Sequence, residues 1–203
     1  MKAILLSVKP EWVAKILNGE KTVEIRKSAP KCELPITVYI YCTKNKLHYC
    51  VGALVFNKDD CFKRSVDGTY KYGDSIELMG YSPDYPYDKN NFLNGKVVAK
   101  FTLLRVERFG MAYPYSEPTS GFLKKACLTL GQARTYAGGE HPYYKPLYAW
   151  HIEDLVIFDK PKELEEFDYP NPSGTRYVSK RSLNGLPSKK HPPQSWCYVE
   201  EVK

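Results

Sequence analysis

Soft-metal chemistry has little to build on in this sequence. Its four histidines and six cysteines are scattered, and the cysteines, at positions 32, 42, 50, 61, 127 and 197, include no C-x-x-C pair. A structural zinc site is therefore poorly supported, and no metal or other cofactor is expected. Long apolar runs are missing too. The opening stretch Met1–Val8 is too short for a secretory signal, and nothing approaches the ~20 apolar residues that cross a bilayer. A cytoplasmic protein with reduced thiols and no membrane partner is expected, with Cys42 in the core and Cys61 at the surface. Acidic residues are the minority charge, 23 against 30 Lys and Arg, and the net charge of +7 favours an anionic partner, nucleic acid first. What is abundant is aromatic: 17 tyrosines in a chain that is 43% hydrophobic exclude a disordered polymer and point to a β-rich fold. At 203 residues the chain has the size of one domain with an elaboration.

Periodicity places the elements. Ala3–Val8 reads as a strand, Pro10–Asn18 as a helix and Lys21–Lys27 as a second strand. Leu34–Thr43 sets Ile36, Val38, Ile40 and Cys42 against Thr37, Tyr39 and Tyr41, a half-buried strand whose aromatic face is open to water. Further strands are expected at Tyr49–Phe56, at Cys61–Tyr72 folded on Asp67-Gly68, and at Ile76–Met79, followed by a surface loop over Tyr81–Asn91. Lys96–Val106 and Leu147–Asp159 each read as one long strand, with an aromatic loop at Phe109–Pro118. Thr129 caps a helix over Leu130–Ala137, and Lys160–Phe167 reads as a helical turn with proline in its first position. From Asp168 to Pro193 the composition shifts to Pro, Ser, Gly, Lys and Arg, a solvated connector or a phosphate-contacting arm. Gln194–Glu200 returns as a strand. The domain layout is then 1–167 as the folded unit, 168–193 as a basic linker, and 194–203 as a strand returning to it.

Chemistry concentrates in the segment from Lys9 to Lys27. Pro10 can open a helix, Trp12, Val13, Ile16 and Leu17 form its apolar face, and Gly19 can end it in the left-handed conformation. From Thr22 the period changes to two, so Thr22, Glu24 and Arg26 share one strand face while Val23 and Ile25 take the other. Lys21 stands at the junction of turn and strand. The competing interpretation is a solvated ion pair on an exposed sheet edge.

The run Gly19-Glu20-Lys21-Thr22-Val23-Glu24-Ile25-Arg26, placed after an amphipathic helix, resembles the G-x-K-x-x-E-x-R signature of the ASCH domain family, a branch of the PUA-like β-barrels. Similar features continue at Lys71-Tyr72-Gly73-Asp74-Ser75 and at Asn94–Phe101. The resemblance implies a mainly β protein with peripheral helices (α+β), built as a PUA-like β-barrel. It also implies that RNA, or a modified nucleoside or nucleotide, is bound by Lys9, Lys21, Thr22, Glu24 and Arg26, with cations on phosphate and tyrosines on bases.

Two catalytic schemes compete with simple binding. Small bacterial ASCH proteins that cleave N4-acylated cytidines use the motif lysine to activate a threonine three residues on. Here Lys21 is present but Glu24 holds the hydroxyl's place, and Thr22 stands in a different direction relative to Lys21 from a hydroxyl at position 24. The candidate catalytic pair is thus Lys21 and Glu24. A metal-independent ribonuclease would use Lys21 to stabilise a pentacoordinate phosphate. His151, on a strand beside Glu153, invites a catalytic role but fits a hydrogen-bonded structural histidine better. Trp196 fits core or groove wall better than a stacking platform.

Overall fold

The computed structural model describes residues 2–44, 93–110, 117–141, 143–167 and 191–200. The strands expected at 49–56, 61–72 and 76–79, the loop at 81–91, Cys61 and most of the basic segment after Asp168 lie outside them.

The first strand, β1 (Lys2–Val8), is buried along all but its first residue. It needs to be apolar on both faces, because Ile4, Leu6 and Val8 enter one core and Ala3 and Leu5 another. It pairs in parallel with β3 (Ile36–Cys42), with Ile4 opposite Val38. Parallel neighbours require a crossover, supplied by α1 (Pro10–Leu17) and β2 (Val23–Arg26). In α1, Pro10 occupies the first turn, Lys15 the last, and Val13, Ile16 and Leu17 fill the larger core. Gly19 then takes φ +74 and its N–H bonds the carbonyl of Ile16 at 2.9 Å.

The remaining strands are β4 (Val97–Leu103), β5 (Val106–Phe109), β6 (Leu147–His151), β7 (Glu153–Lys162) and β8 (Trp196–Glu200). Among the described residues they form a five-stranded sheet ordered β7-β4-β3-β1-β8 and a three-stranded sheet ordered β2-β6-β5. The returning C-terminal strand is present as β8, antiparallel to β1.

Two long strands of the sequence reading are each divided. The path from Lys96 to Val106 breaks between β4 and β5, and that from Leu147 to Asp159 breaks at Ile152. Both breaks fall at one corner. Thr102 pairs with Glu153 in the larger sheet and Val106 with Trp150 in the smaller, while Asp154 adopts φ 48. The freed N–H of Ile152 bonds the carbonyl of Thr22 at 3.0 Å, and that of His151 bonds the carbonyl of Arg105 at 3.3 Å. A two-stranded ribbon is thereby bent from one sheet into the other. The hydrogen-bonded ladders among the described residues give two mixed or antiparallel open sheets, not one closed barrel.

Three local expectations are also corrected. Strand β7, an edge among the described residues, runs through Pro161 to Lys162, where the ladder is spared a missing donor, and the helical turn is a 3-10 turn over Leu164–Glu166 capped by Glu163. A helix, α2 (Glu117–Lys125), overlaps the end of the expected loop; Phe122, Leu123 and the following Ala126 pack on Val23, Ile25 and Phe109. Tyr39 and Tyr41 are not wet. Both are 2% exposed, with Leu164, Phe167 and Val199 in the same core and the Tyr39 ring edge-on to Phe167 at 4.8 Å. The helix α3 (Leu130–Ala137) is as expected, with Thr129 and Gln132 bonding reciprocally as a capping box.

Candidate functional site

Strand β2 divides its side chains by parity. Val23 and Ile25 enter the core shared with Phe109, Phe122, Leu147 and Ala149. Glu24 and Arg26 turn away from that core into a cavity. The preceding turn aims Lys21 at the same place: its backbone N–H bonds the carbonyl of Lys15 at 3.0 Å, and its Nζ donates to the carbonyl of Ala126 at 2.8 Å.

The three charges form a compact, buried group. Lys21 Nζ lies 3.1 Å from Glu24 Oε2, and Arg26 Nη2 lies 2.9 Å from Glu24 Oε1. They are 2%, 6% and 7% exposed for Lys21, Glu24 and Arg26, which removes the solvated-edge interpretation. Burial works to raise the Glu24 carboxyl, but the two neighbouring cations and their hydrogen bonds outweigh it and hold the group below the usual carboxylate range. Glu24 is therefore an ionised anchor that orients both cations. Arg26 also donates from Nη2 to the carbonyl of Ser7 at 2.7 Å and from Nη1 to Ser195 Oγ at 3.3 Å, joining β1, β2 and the approach to β8. Its Nε is buried without a hydrogen-bond partner among the described residues.

The cavity around this group has a volume of about 770 Å³. Lys9, Lys21, Glu24 and Arg26 all line it, so four of the five sequence-derived ligand residues meet in one wall. Thr22 does not. Its side chain is exposed and its backbone is used at the corner, with its N–H on the carbonyl of Lys125 at 3.0 Å. The strand begins only at Val23, so the alternation that grouped Thr22 with Glu24 does not reach it.

The opposite wall was missed as a wall. It includes Gln132, Thr135 and Tyr136 from α3 and Gln194 and Ser195 before β8, while Trp12 lines the motif side. Lys21 Nζ stands 5.3 Å from the Trp12 ring centre. The spacing 132, 135, 136 is one helix face, so the grouping within α3 was available from the sequence, but its facing β2 was not. Tyr136 hydrogen-bonds Arg26, and burial raises its hydroxyl above the ordinary tyrosine value despite that cation.

His151 lies outside this cavity's lining. Its Nε2 is 2.7 Å from Glu107 Oε1 and its Nδ1 is 3.3 Å from Arg105 Nη2, so Nε2 donates and Nδ1 accepts. Burial and Arg105 lower its pKa against the pull of Glu107, a neutral hydrogen-bonded histidine at the sheet corner. Trp196 packs against the core, its ring centre 5.6 Å from that of Trp150 and its Nε1 donating to Ser28 Oγ at 3.2 Å.

A family model for the ASCH domain matches residues 6–111. No curated protein matches the chain. Among solved structures, the crystal structure of ASCH from Zymomonas mobilis superposes with a TM-score of 0.53 at 16% identity, covering 98% of this chain and 88% of that one. A serine-to-alanine mutant of the Zymomonas mobilis protein gives a TM-score of 0.52 at 16% identity, covering 98% and 89%. At these identities the likeness is one of fold.

Proposed function

Because the chain belongs to the ASCH domain family, we propose that it binds RNA or a nucleotide-like ligand through the cavity lined by Lys9, Lys21, Glu24 and Arg26. The observation that carries this reading is the buried Lys21–Glu24–Arg26 group in the wall of a cavity of about 770 Å³, within the range of about 300–1,000 Å³ typical of small-ligand sites. Exposed Lys9 and half-buried Glu11 also line the cavity, so three cations face two carboxylates and a small positive excess remains, which suits a phosphate-bearing ligand. Trp12 and Tyr136 offer apolar faces for a base. The frame in this reading is a PUA-like β-barrel whose two sheets are joined at the Ile152 corner, with 1–167 as the domain, 194–203 as its returning strand, and 168–193 as a basic connector. Thr22 contributes backbone only.

Catalysis ranks below binding because Glu24 is held ionised by both cations. A carboxylate stabilised in this way is a weak base and a weak nucleophile, so neither hydrolysis of N4-acylated cytidines nor ribonuclease chemistry is favoured. The test is a binding titration with short single-stranded RNA across a range of salt. Lys9→Glu is exposed and leaves the buried group intact; it should weaken binding several-fold and reduce the salt slope by about one. Salt-independent affinity, or no effect of Lys9→Glu and Arg26→Ala, would move the site elsewhere. Mass analysis after incubation with RNA and with N4-acetylcytidine should return both intact; turnover lost on Lys21→Ala would establish the enzyme instead.

A further inference from the structure

The cavity has two chemically different halves, and they come from different parts of the chain. Lys9, Trp12, Lys21, Glu24 and Arg26 lie within the segment 6–111 that the family model covers. Gln132, Thr135, Tyr136, Gln194 and Ser195 lie beyond it, on α3 and before β8. The first half supplies charge. The second carries no charge: it supplies neutral hydrogen-bonding groups, one ring and the apolar Leu128. Charged groups hold phosphates without regard to sequence, whereas amides recognise the edges of bases.

Resting on the nucleic-acid reading above, we propose that Gln132 and Gln194 are specificity-determining residues, reading the hydrogen-bonding edge of one unpaired base while Lys9, Lys21 and Arg26 provide sequence-independent attraction. Independent constraints place the Gln132 amide and the backbone that carries Gln194. Gln132 is fixed through its Oε1, which accepts the Thr129 N–H at 2.9 Å and the Thr129 hydroxyl at 3.1 Å, and its amide NH2 stays as a donor. Gln194 is held by its neighbours: Ser7 Oγ donates to the carbonyl of Pro193 at 2.6 Å, and the Ser7 N–H to the carbonyl of Ser195 at 2.8 Å. The Gln132 amide, held by its cap, loses little freedom when a ligand arrives, whereas the exposed Gln194 side chain must be ordered by the ligand from a backbone already in place. The edge of an unpaired base is the ligand chemistry that matches them, since a duplex hides its Watson–Crick edges.

The experiment measures the affinities of the full chain for short oligoadenylate, oligocytidylate and oligouridylate, and uses their ratios. Wild type should prefer one base by about tenfold over the weakest. Gln194→Ala should collapse that ratio towards unity. Gln132→Glu preserves the capping acceptor while exchanging the donor for an acceptor, so it should change the order of preference rather than flatten it. Ratios cancel any uniform loss caused by the added charge, and unchanged thermal melting establishes folding. If all three oligonucleotides bind and the ratios survive both substitutions, the amide proposal is wrong while the binding reading stands. If none binds wild type, the binding reading fails and the amide proposal falls with it.

Discussion

Glu24 is the residue on which the site's stability turns. Removing its charge leaves Lys21 and Arg26 buried against a neutral group, so Glu24→Gln should lower stability by about 3 kcal/mol, measured by urea denaturation at neutral pH. The pH dependence has a definite sign. The folded pKa lies below the unfolded one, so the Glu24 contribution is present above the unfolded value of about 4.3 and is lost as pH falls through the lower folded value. In Glu24→Gln that part of the acid destabilisation should disappear. A second residue, Cys42, tests burial independently: its thiol is pushed up to about 12 by desolvation, and it should resist alkylation in the native protein while reacting once unfolded. Its place in the core was readable from strand alternation alone. Glu24 and Arg26 were readable as a pair because alternate residues of one strand share a face, whereas the direction of Lys21, at the junction of turn and strand, was not fixed by alternation. Nor was Thr22 readable, since the strand's first residue depends on a hydrogen bond from the Ile152 N–H, over a hundred positions away.

Elements were legible where local rules decide them, and not where tertiary contacts do. Helix α1 ends at Gly19 because φ +74 suits glycine, and a Cβ there would meet nothing within 4 Å. Gly19→Ala should therefore cost only the backbone strain, about 1 kcal/mol, and its denaturation midpoint should shift accordingly. Thr129→Ala, which removes one side of the capping box on α3, should cost a similar ~1 kcal/mol. Both termini had been marked by the sequence. The bend at Ile152 had not, because Leu147–Asp159 holds no glycine or proline to mark a break, and the left-handed residue beside the bend is Asp154, at φ 48. Helix α2 escaped for a related reason. Gly121 interrupts it, and its two large apolar residues, Phe122 and Leu123, acquire a face only by packing on β2 and β5.

On the scale of the whole molecule, the site and the fold share one closure. Among the described residues strand β8 is the edge of the five-stranded sheet, yet it carries Val199, wholly buried, and is preceded by Ser195, which accepts from Arg26. The cavity wall is complete only when the last strand has docked on the first. Ser7 makes this explicit, giving its hydroxyl to Pro193, its N–H to Ser195 and its carbonyl to Arg26. Trp196→Ala removes the contact with Trp150 and the bond to Ser28 without touching the cavity lining. Because Trp196 is half-buried, the expected cost is about 2 kcal/mol, below that of a fully enclosed tryptophan. If docking of β8 is part of the cooperative fold, urea denaturation of this variant followed by tryptophan fluorescence and by circular dichroism should give one coincident transition at a lower midpoint, with RNA affinity little changed well below it. Two separated transitions would show instead that the C-terminal strand undocks on its own. Affinity should then fall with the first of them, since Gln194 and Ser195 leave the wall while Lys21, Glu24 and Arg26 remain in place.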